Sequence, residues 1–320
     1  MSSQTATGNG KRVFVTGATG YIGLVVVELA VAEGYTVHGL SRNESGDKKL
    51  TALGATPVRG DLSSFHVLER ESAAADAVLH LAYIHDFTLD YEQVLKADRD
   101  AVSALAEGLK GTGKPLIITA GTAIVDPDPA GGETDEDAPI SKTFVLKDRI
   151  KSEQFALSLT DKGIIVVVLR LPPYVYGRGA SFFVPQLLQL AAKAGESIYV
   201  DDGHLQTSDV HVDDAARLYL HAVTNAKSSG VFNGTGSTTV TLRQLAETIG
   251  AAVGVPVRSV SYEEAAKKWG DFLVAFVQFH NRASSAKATR VLGWHPKEVD
   301  MLTDITKGSY VELVKKLRAD

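Results

Sequence analysis

Three glycines constrain this chain more than any other feature. Gly17, Gly20 and Gly23 recur at three-residue spacing in TGATGYIG, between a β-branched run (RVFVT, 12–16) and a helical stretch (YIGLVVVELAVAEG, 21–34). Strand, glycine loop and helix in direct succession is the context in which such spacing means a dinucleotide site. Gly17 permits a tight turn, Gly20 lets backbone approach a pyrophosphate, and Gly23 lets the helix pack closely. The helix start then offers N–H donors and a positive dipole end to the phosphates. Gly17, Thr19, Gly20, Tyr21, Ile22 and Gly23 are therefore the expected pyrophosphate cradle.

The pattern continues as alternating apolar runs and helices. YTVHGL (35–40), DAVLHLA (76–82), PLIIT (115–119) and GIIVVVLRL (163–171) read as strands, with another before Asp61. Residues 89–110 and 142–162 read as helices. Such alternation predicts an α/β fold, a doubly wound parallel Rossmann sheet with both faces covered. After Gly177 the pattern becomes interrupted, with helices expected near 183–195, 241–253, 262–280 and 300–317 and a short strand at SIYV. The expected organisation is a disordered 1–10, a dinucleotide-binding domain over 11–177 plus about 206–235, and a smaller interleaved C-terminal substrate lobe over 178–205 and 236–320. Substrate would sit in the crevice between lobe and sheet.

Composition excludes several function classes. With no cysteine among 320 residues, disulfides, thiolate nucleophiles and cysteine-based zinc sites are ruled out. The net charge of −5 argues against nucleic acid and anionic membrane as partners. No run reaches the roughly 18 apolar residues of a membrane span, and MSSQTATGNGKR lacks a signal-peptide core. The expectation is a soluble cytoplasmic protein, in which the sequons at Asn43 and Asn233 are chance.

The second strand ends GLSRN, where an NAD site usually carries Asp or Glu. Here Ser41 and Arg42 stand instead. A guanidinium can pair bidentately with a 2′-phosphate, so the expected cofactor is NADP(H) rather than NAD. Asp61, followed by Leu62 in RGDLSS, either accepts from the adenine amino group or caps the next helix.

TGATGYIG, GDL, HLA (80–82), RLPPYVYG (170–177) and VHVDDAA (210–216) together resemble the extended branch of the short-chain dehydrogenase/reductase superfamily, the NAD-dependent epimerase/dehydratase type, over nearly the whole chain. The resemblance implies that Leu81, Ala82 and Tyr83 lie near the cofactor ribose, and that Pro172, Pro173 and Tyr174 line the nicotinamide. It also implies a Ser or Thr after the fifth strand and a Tyr-x-x-x-Lys pair on the next helix. VLKDRIKSEQ (145–154) contains no tyrosine. One register puts Lys147 and Lys151 at the two positions; the other, aligned on Glu153 and favoured by its distance to Gly177, puts Val145 and Arg149 there. The chain resembles an atypical member that kept the cofactor loop and lost the tyrosine acid.

Reduction of a carbonyl needs a group that meets the developing alkoxide. Four candidates emerge. Thr122 follows the fifth strand, where Gly121 takes the family serine position and Thr119 lies two back. His85, beside Asp86, lies past the end of strand four, where open sheets bind ligands and imidazole titrates near neutrality. Tyr174 is the nearest aromatic hydroxyl to the presumed nicotinamide. Arg149 can hold ribose or phosphate but cannot shuttle a proton.

His204 and Arg282 are weaker candidates for reading a polar substrate. His211, Asp213 and Asp214 read as a strand end and helix cap. The acidic stretch from Asp126 to Asp137 reads as a solvated, mobile loop over the site, and no metal site is expected. The function implied is an NADP(H)-dependent carbonyl reductase or alcohol dehydrogenase acting on a small molecule. The alternatives are an isomerase, epimerase or lyase on the same scaffold, or an NADP(H)-binding sensor without turnover. A homodimer through the sheet-flanking helices is a family-level expectation.

Overall fold

The computed structural model describes residues 8–86 and 88–319. The first part of the chain alternates strictly: β1 (Arg12–Thr16), α1 (Tyr21–Ala32), β2 (Thr36–Ser41), α2 (Glu44–Ala52), β3 (Thr56–Arg59), α3 (Phe65–Ala74), β4 (Ala77–His80), α4 (Tyr91–Leu109), β5 (Pro115–Gly121), α5 (Arg149–Ser158) and β6 (Ile165–Leu171). There follow β7 (Tyr174–Tyr176), α6 (Phe183–Ala194), β8 (Ser197–Val200), β9 (Gln206–His211), α7 (Val212–Asn225) and β10 (Gly230–Asn233). The remainder comprises β11 (Ser237–Thr241), α8 (Leu242–Val253), β12 (Val257–Val260), α9 (Tyr262–Trp269), α10 (Asp271–Val277), α11 (Ala286–Leu292), α12 (Met301–Lys307) and α13 (Val311–Ala319).

Seven parallel strands form the central sheet in the order β10-β6-β5-β4-β1-β2-β3. Strands buried on both faces need apolar side chains in both directions, which is why β1, β4 and β6 carry nearly continuous Val, Leu and Ile. One face is covered by α1 and α7, through Val25, Val26 and Ala30 against Ala215, Leu218 and Tyr219. The other is covered by α3, α4 and α5, through Leu68, Val102, Leu105 and Ala156. A separate core holds the lobe together, with Val184 and Leu188 of α6, Leu245 and Ile249 of α8, and Met301 and Ile305 of α12. Two small sheets, β11-β9-β7 and β12-β8, link lobe and main sheet.

Several sequence expectations change. The helix expected over 142–162 begins only at Arg149. Ser141 Oγ accepts from the amides of Thr143 (3.3 Å) and Phe144 (3.1 Å), which winds the preceding residues into turns. The Phe144 ring packs on Phe279 and Phe276, and Val145 is left exposed. The helices expected over 262–280 and 300–317 each break at a glycine, Gly270 and Gly308. α11 was not anticipated. Of the N-terminus expected to be disordered, Gly8 and Gly10 donate to the carbonyls of Glu33 (2.8 Å) and Gly34 (3.0 Å); residues 1–7 lie outside the described residues.

Asp209, on β9, is buried at 1% exposure, with Oδ2 lacking a hydrogen-bond partner. Burial first, and then the charge of Asp300, push its pKa up to about 8. The folded protein therefore holds a proton there between about pH 4 and 8 that the unfolded chain has released, so this group's stability contribution falls as pH rises through that window. Asp209→Asn keeps the neutral shape and removes the titration. Its Tm relative to the parent should climb between pH 5 and pH 8; a constant difference across thermal scans at those pH values would refute it.

Candidate functional site

The strand order reverses between β1 and β4, and the loops leaving these two strands face each other across the resulting crevice. Gly17 has φ +69°, and a Cβ there would lie 2.6 Å from the Ala82 amide nitrogen, so the first loop packs directly on residues 81–82. Gly20 N–H donates to the Gly17 carbonyl at 3.0 Å, closing the turn. A Cβ on Gly23 would overlap that same carbonyl oxygen. The start of α1 has no side-chain cap and no acidic residue in its first turn. α4, α8 and α9 are all capped by side chains. The open amides of α1 and the glycine cradle fit an anionic diphosphate.

Beneath the loops runs a buried polar chain that sequence reading missed. Thr16 Oγ1 lies 2.8 Å from His80 Nδ1 and accepts from the Ala82 amide at 3.3 Å. His80 Nε2 lies 3.3 Å from Asp98 Oδ1. Burial alone would raise the Asp98 carboxyl, but His80 and then Arg149 outweigh it and hold it below the usual range. This chain fixes the ends of β1 and β4 relative to each other. The sequence signal was the polar pair Thr16 and His80 closing otherwise apolar strands.

At the end of β2, Ser41 is buried and donates to the Asn43 carbonyl at 3.0 Å. Arg42 is exposed, with no hydrogen bond or ion pair to other described residues. Asp61 Oδ1 accepts from Ser63 N (2.9 Å), Ser63 Oγ (2.7 Å) and Ser64 Oγ (3.0 Å), which folds the turn leading into α3, whose cap position is Ser64. Those bonds, Ser63 Oγ foremost, hold its pKa below the ordinary value. Leu62 is half-buried beside it.

Arg149, the first residue of α5, places its guanidinium over the Tyr83 ring, 4.0 Å from the centroid. His85 meets the same ring edge-on at 5.3 Å. The hydroxyls of Tyr83 and Tyr91 are buried and face each other. Desolvation raises both phenols, and Arg149 opposes it; their mutual interaction acts to lower the Tyr83 phenol and to raise that of Tyr91. His85 is exposed at this edge, and desolvation and then the Arg149 charge lower its pKa below the ordinary value.

The register is anchored by Glu153, which receives Arg170 Nε at 2.9 Å and a second guanidinium nitrogen at 2.6 Å, all buried. Lys151 points away into exposed pairs with Glu92 (2.8 Å) and Asp148 (3.2 Å). Arg149 is thus the cation that α5 brings to the β4 loop.

Two catalytic candidates have buried hydroxyls. Thr122 is fully buried and its hydroxyl donates to Asn281 Oδ1 at 2.8 Å, because the chain turns into a short 3₁₀ segment after β5 and carries it inward. Tyr174 is 2% exposed, its ring in the lobe core beside Phe183, and burial pushes its phenol up. Thr119 Oγ1 lies 2.7 Å from the Tyr219 hydroxyl. Pro172, just past β6, is buried. The acidic stretch is fastened rather than loose. The Asn233 amide donates to Glu136 Oε1 (2.8 Å), Arg170 to the Glu136 carbonyl (2.9 Å) and Thr238 Oγ1 to Glu133 (2.6 Å). Arg282 belongs to that fastening, donating to the carbonyls of Gly131 (2.6 Å) and Thr238 (3.2 Å). His204 is exposed. His211 caps α7 by accepting from the Asp213 amide at 3.2 Å.

The site is also tied to the lobe. Tyr21, at the first position of α1, donates to the Gly177 carbonyl at 2.9 Å. Arg178 pairs with Glu28 (2.6 Å) and Asp213 (2.6 Å).

Comparison with known proteins agrees with this geometry. The model of the NAD dependent epimerase/dehydratase family matches residues 13–233, from β1 through β10. The chain belongs to that family. Within the same extended short-chain dehydrogenase/reductase superfamily, it is 35% identical over 296 residues to an uncharacterised protein of Saccharomyces cerevisiae, covering 92% of this chain and 97% of the relative. It is 29% identical over 251 residues to a 4-hydroxy-2-methyl-3-oxo-4-farnesyl-3,4-dihydroquinoline-1-oxide ketoreductase of Stigmatella aurantiaca, covering 72% and 70% of the two chains. The solved structure of MoeE5 with UDP-glucuronic acid and NAD shares the fold, with TM-score 0.74, 20% identity, and 95% and 99% coverage. As a member of this family the protein has an NAD(P)-dependent scaffold of the kind used by reductases and epimerases. No helix among the described residues is long and apolar enough to cross a membrane.

Proposed function

We propose that the protein is an NADP(H)-dependent reductase of a small organic carbonyl, working in the cytoplasm, with a proton donor other than the family tyrosine. One observation carries the reading: the guanidinium of Arg149, in no ion pair among the described residues, lies beside Tyr83 and His85 at the crevice where the glycine loop opens. A cation that feels Asp98 only at a distance and is in no ion pair with the described residues, at the mouth of a dinucleotide cradle, suits a reaction that builds negative charge on oxygen. The similarity to a ketoreductase supports the same reading.

Gly17, Thr19, Gly20, Tyr21, Ile22 and Gly23 would hold the pyrophosphate through the open start of α1. Ser41 and Arg42 would meet the 2′-phosphate, Asp61 and Leu62 the adenine, Leu81, Ala82 and Tyr83 the ribose, and Pro172 the nicotinamide. When bound, the reduced cofactor supplies the hydride. His85 in its neutral form has one N–H and one lone pair, so it can give its proton to the product alkoxide and regain one from water.

The test is loss of NADPH absorbance across a panel of aldehydes and ketones. Binding without consumption on any of them would favour a sensor or an isomerase instead. The cofactor assignment has its own check. Arg42→Ala should weaken NADPH binding by roughly tenfold or more and leave NADH within about twofold, the loss of one charge-assisted phosphate contact. Equal effects on both cofactors, read by fluorescence titration, would refute the 2′-phosphate contact.

A further inference from the structure

We infer that Arg149 binds the carbonyl oxygen of the substrate and carries the negative charge that builds on it, in place of the ribose-holding role its position suggests. This rests on the reductase reading above. A half-buried guanidinium normally finds carboxylates or carbonyls for its donors, because a desolvated cation without acceptors is costly. Arg170 pairs with Glu153, Arg178 with Glu28 and Asp213, and Arg217 with Asp214 and Glu298. Arg149 makes no ion pair or hydrogen bond from its side chain to the described residues, and its guanidinium lies over the face of Tyr83. The nearby buried carboxylate, Asp98, is engaged with His80. All five N–H donors of Arg149 are available, in the planar fork that matches an oxyanion.

The surroundings fit the same role. The buried Tyr83 and Tyr91 hydroxyls interact with each other and make no hydrogen bond with Arg149, so neither supplies an acceptor fixed on the guanidinium. Glu153, one helical turn along α5, is locked to Arg170, which fixes where Arg149 emerges. Ribose is a neutral diol and uses little of a full positive charge, whereas an alkoxide uses all of it.

Arg149 keeps its protons throughout. Hydride adds to the carbonyl carbon, and the C=O π pair moves onto oxygen against the guanidinium. A proton from His85, replaced from water, completes the alcohol as NADPH becomes NADP⁺. The residue therefore replaces the family tyrosine as a charge receiver, and the proton arrives separately.

The deciding measurement needs no known substrate. Benzoate presents a carboxylate where the alkoxide would form, and calorimetry on the NADP⁺-saturated protein reads its binding directly. Arg149→Met should weaken benzoate at least about tenfold while NADP⁺ affinity stays within about twofold, and Arg149→Lys should keep part of the benzoate affinity. If NADP⁺ affinity falls and benzoate does not, Arg149 holds ribose and the inference is overturned. It is equally overturned if the wild-type complex takes up no benzoate, or if Met and wild type bind it alike. Circular dichroism of both variants checks folding, and Lys remains decisive if Met unfolds. A protein with this benzoate behaviour that consumes no NADPH on the carbonyl panel would keep the anion site and lose the reductase reading.

Discussion

Gly23→Ala abolishes useful cofactor binding: the dissociation constant for NADPH should rise roughly hundredfold or more, about 2.7 kcal/mol. The new methyl overlaps the Gly17 carbonyl oxygen, and backbone, unlike a flexible side chain, has nowhere to go. Either Gly17 leaves its place against Ala82 or α1 withdraws from the loop. Both moves shift the uncapped amides away from the phosphates. A fluorescence titration of NADPH against the variant decides the matter, with Asn225→Ala, on the far end of α7, as a control. Retained binding within a few-fold would mean that the diphosphate does not sit at this loop.

The second large effect concerns stability. Glu153→Ala leaves Arg170, 4% exposed, with a buried charge and only the Glu136 carbonyl to receive it. Breaking a buried pair from one side costs about 3–5 kcal/mol, because the surviving ion remains desolvated without compensation. For a chain of this size that corresponds to a fall in Tm of roughly 4–7 °C. Glu153→Gln, which keeps the shape and part of the hydrogen bonding, should lose less. A thermal scan in which Ala and Gln are equally close to the parent would show that the pair is not a structural anchor. The same variants should disturb the crevice, since α5 carries both Glu153 and Arg149.

Much of this architecture was legible because it is repetitive. Strand runs such as VVVLRL and the strand–glycine–helix junction state their own periodicity, and the parallel sheet follows from them. The cofactor end of the site was readable for the same reason, since backbone amides bind the phosphates and glycines mark where backbone must come close. The chemical end was not. Thr122 and Tyr174 sit at sensible positions in the chain, but one extra turn after β5 and the pairing of β7 with β9 bury both hydroxyls. The start of α5 was misplaced because the Ser141 hydroxyl and the aromatic packing of Phe144 compete locally with helix, and periodicity does not reveal such competition. The Thr16–His80–Asp98 chain joins residues up to 82 positions apart, a relation only the folded sheet creates. The acidic loop was misjudged on charge alone, since backbone donors from distant segments hold Glu136 in place.

The pairing of α1 with α7 has a consequence for how the protein is made. α1 leaves the ribosome well before α7, rich in Val, Leu and Ala, yet the helix that covers it starts only at Val212. At ~5–20 residues per second, the nascent chain carries that sticky surface for on the order of ten seconds or longer before its shelter is synthesised. The last strand of the sheet, β10, is translated later still. Folding during translation therefore begins with an unfinished layer, and a chaperone or a slowed aggregation rate must cover the interval.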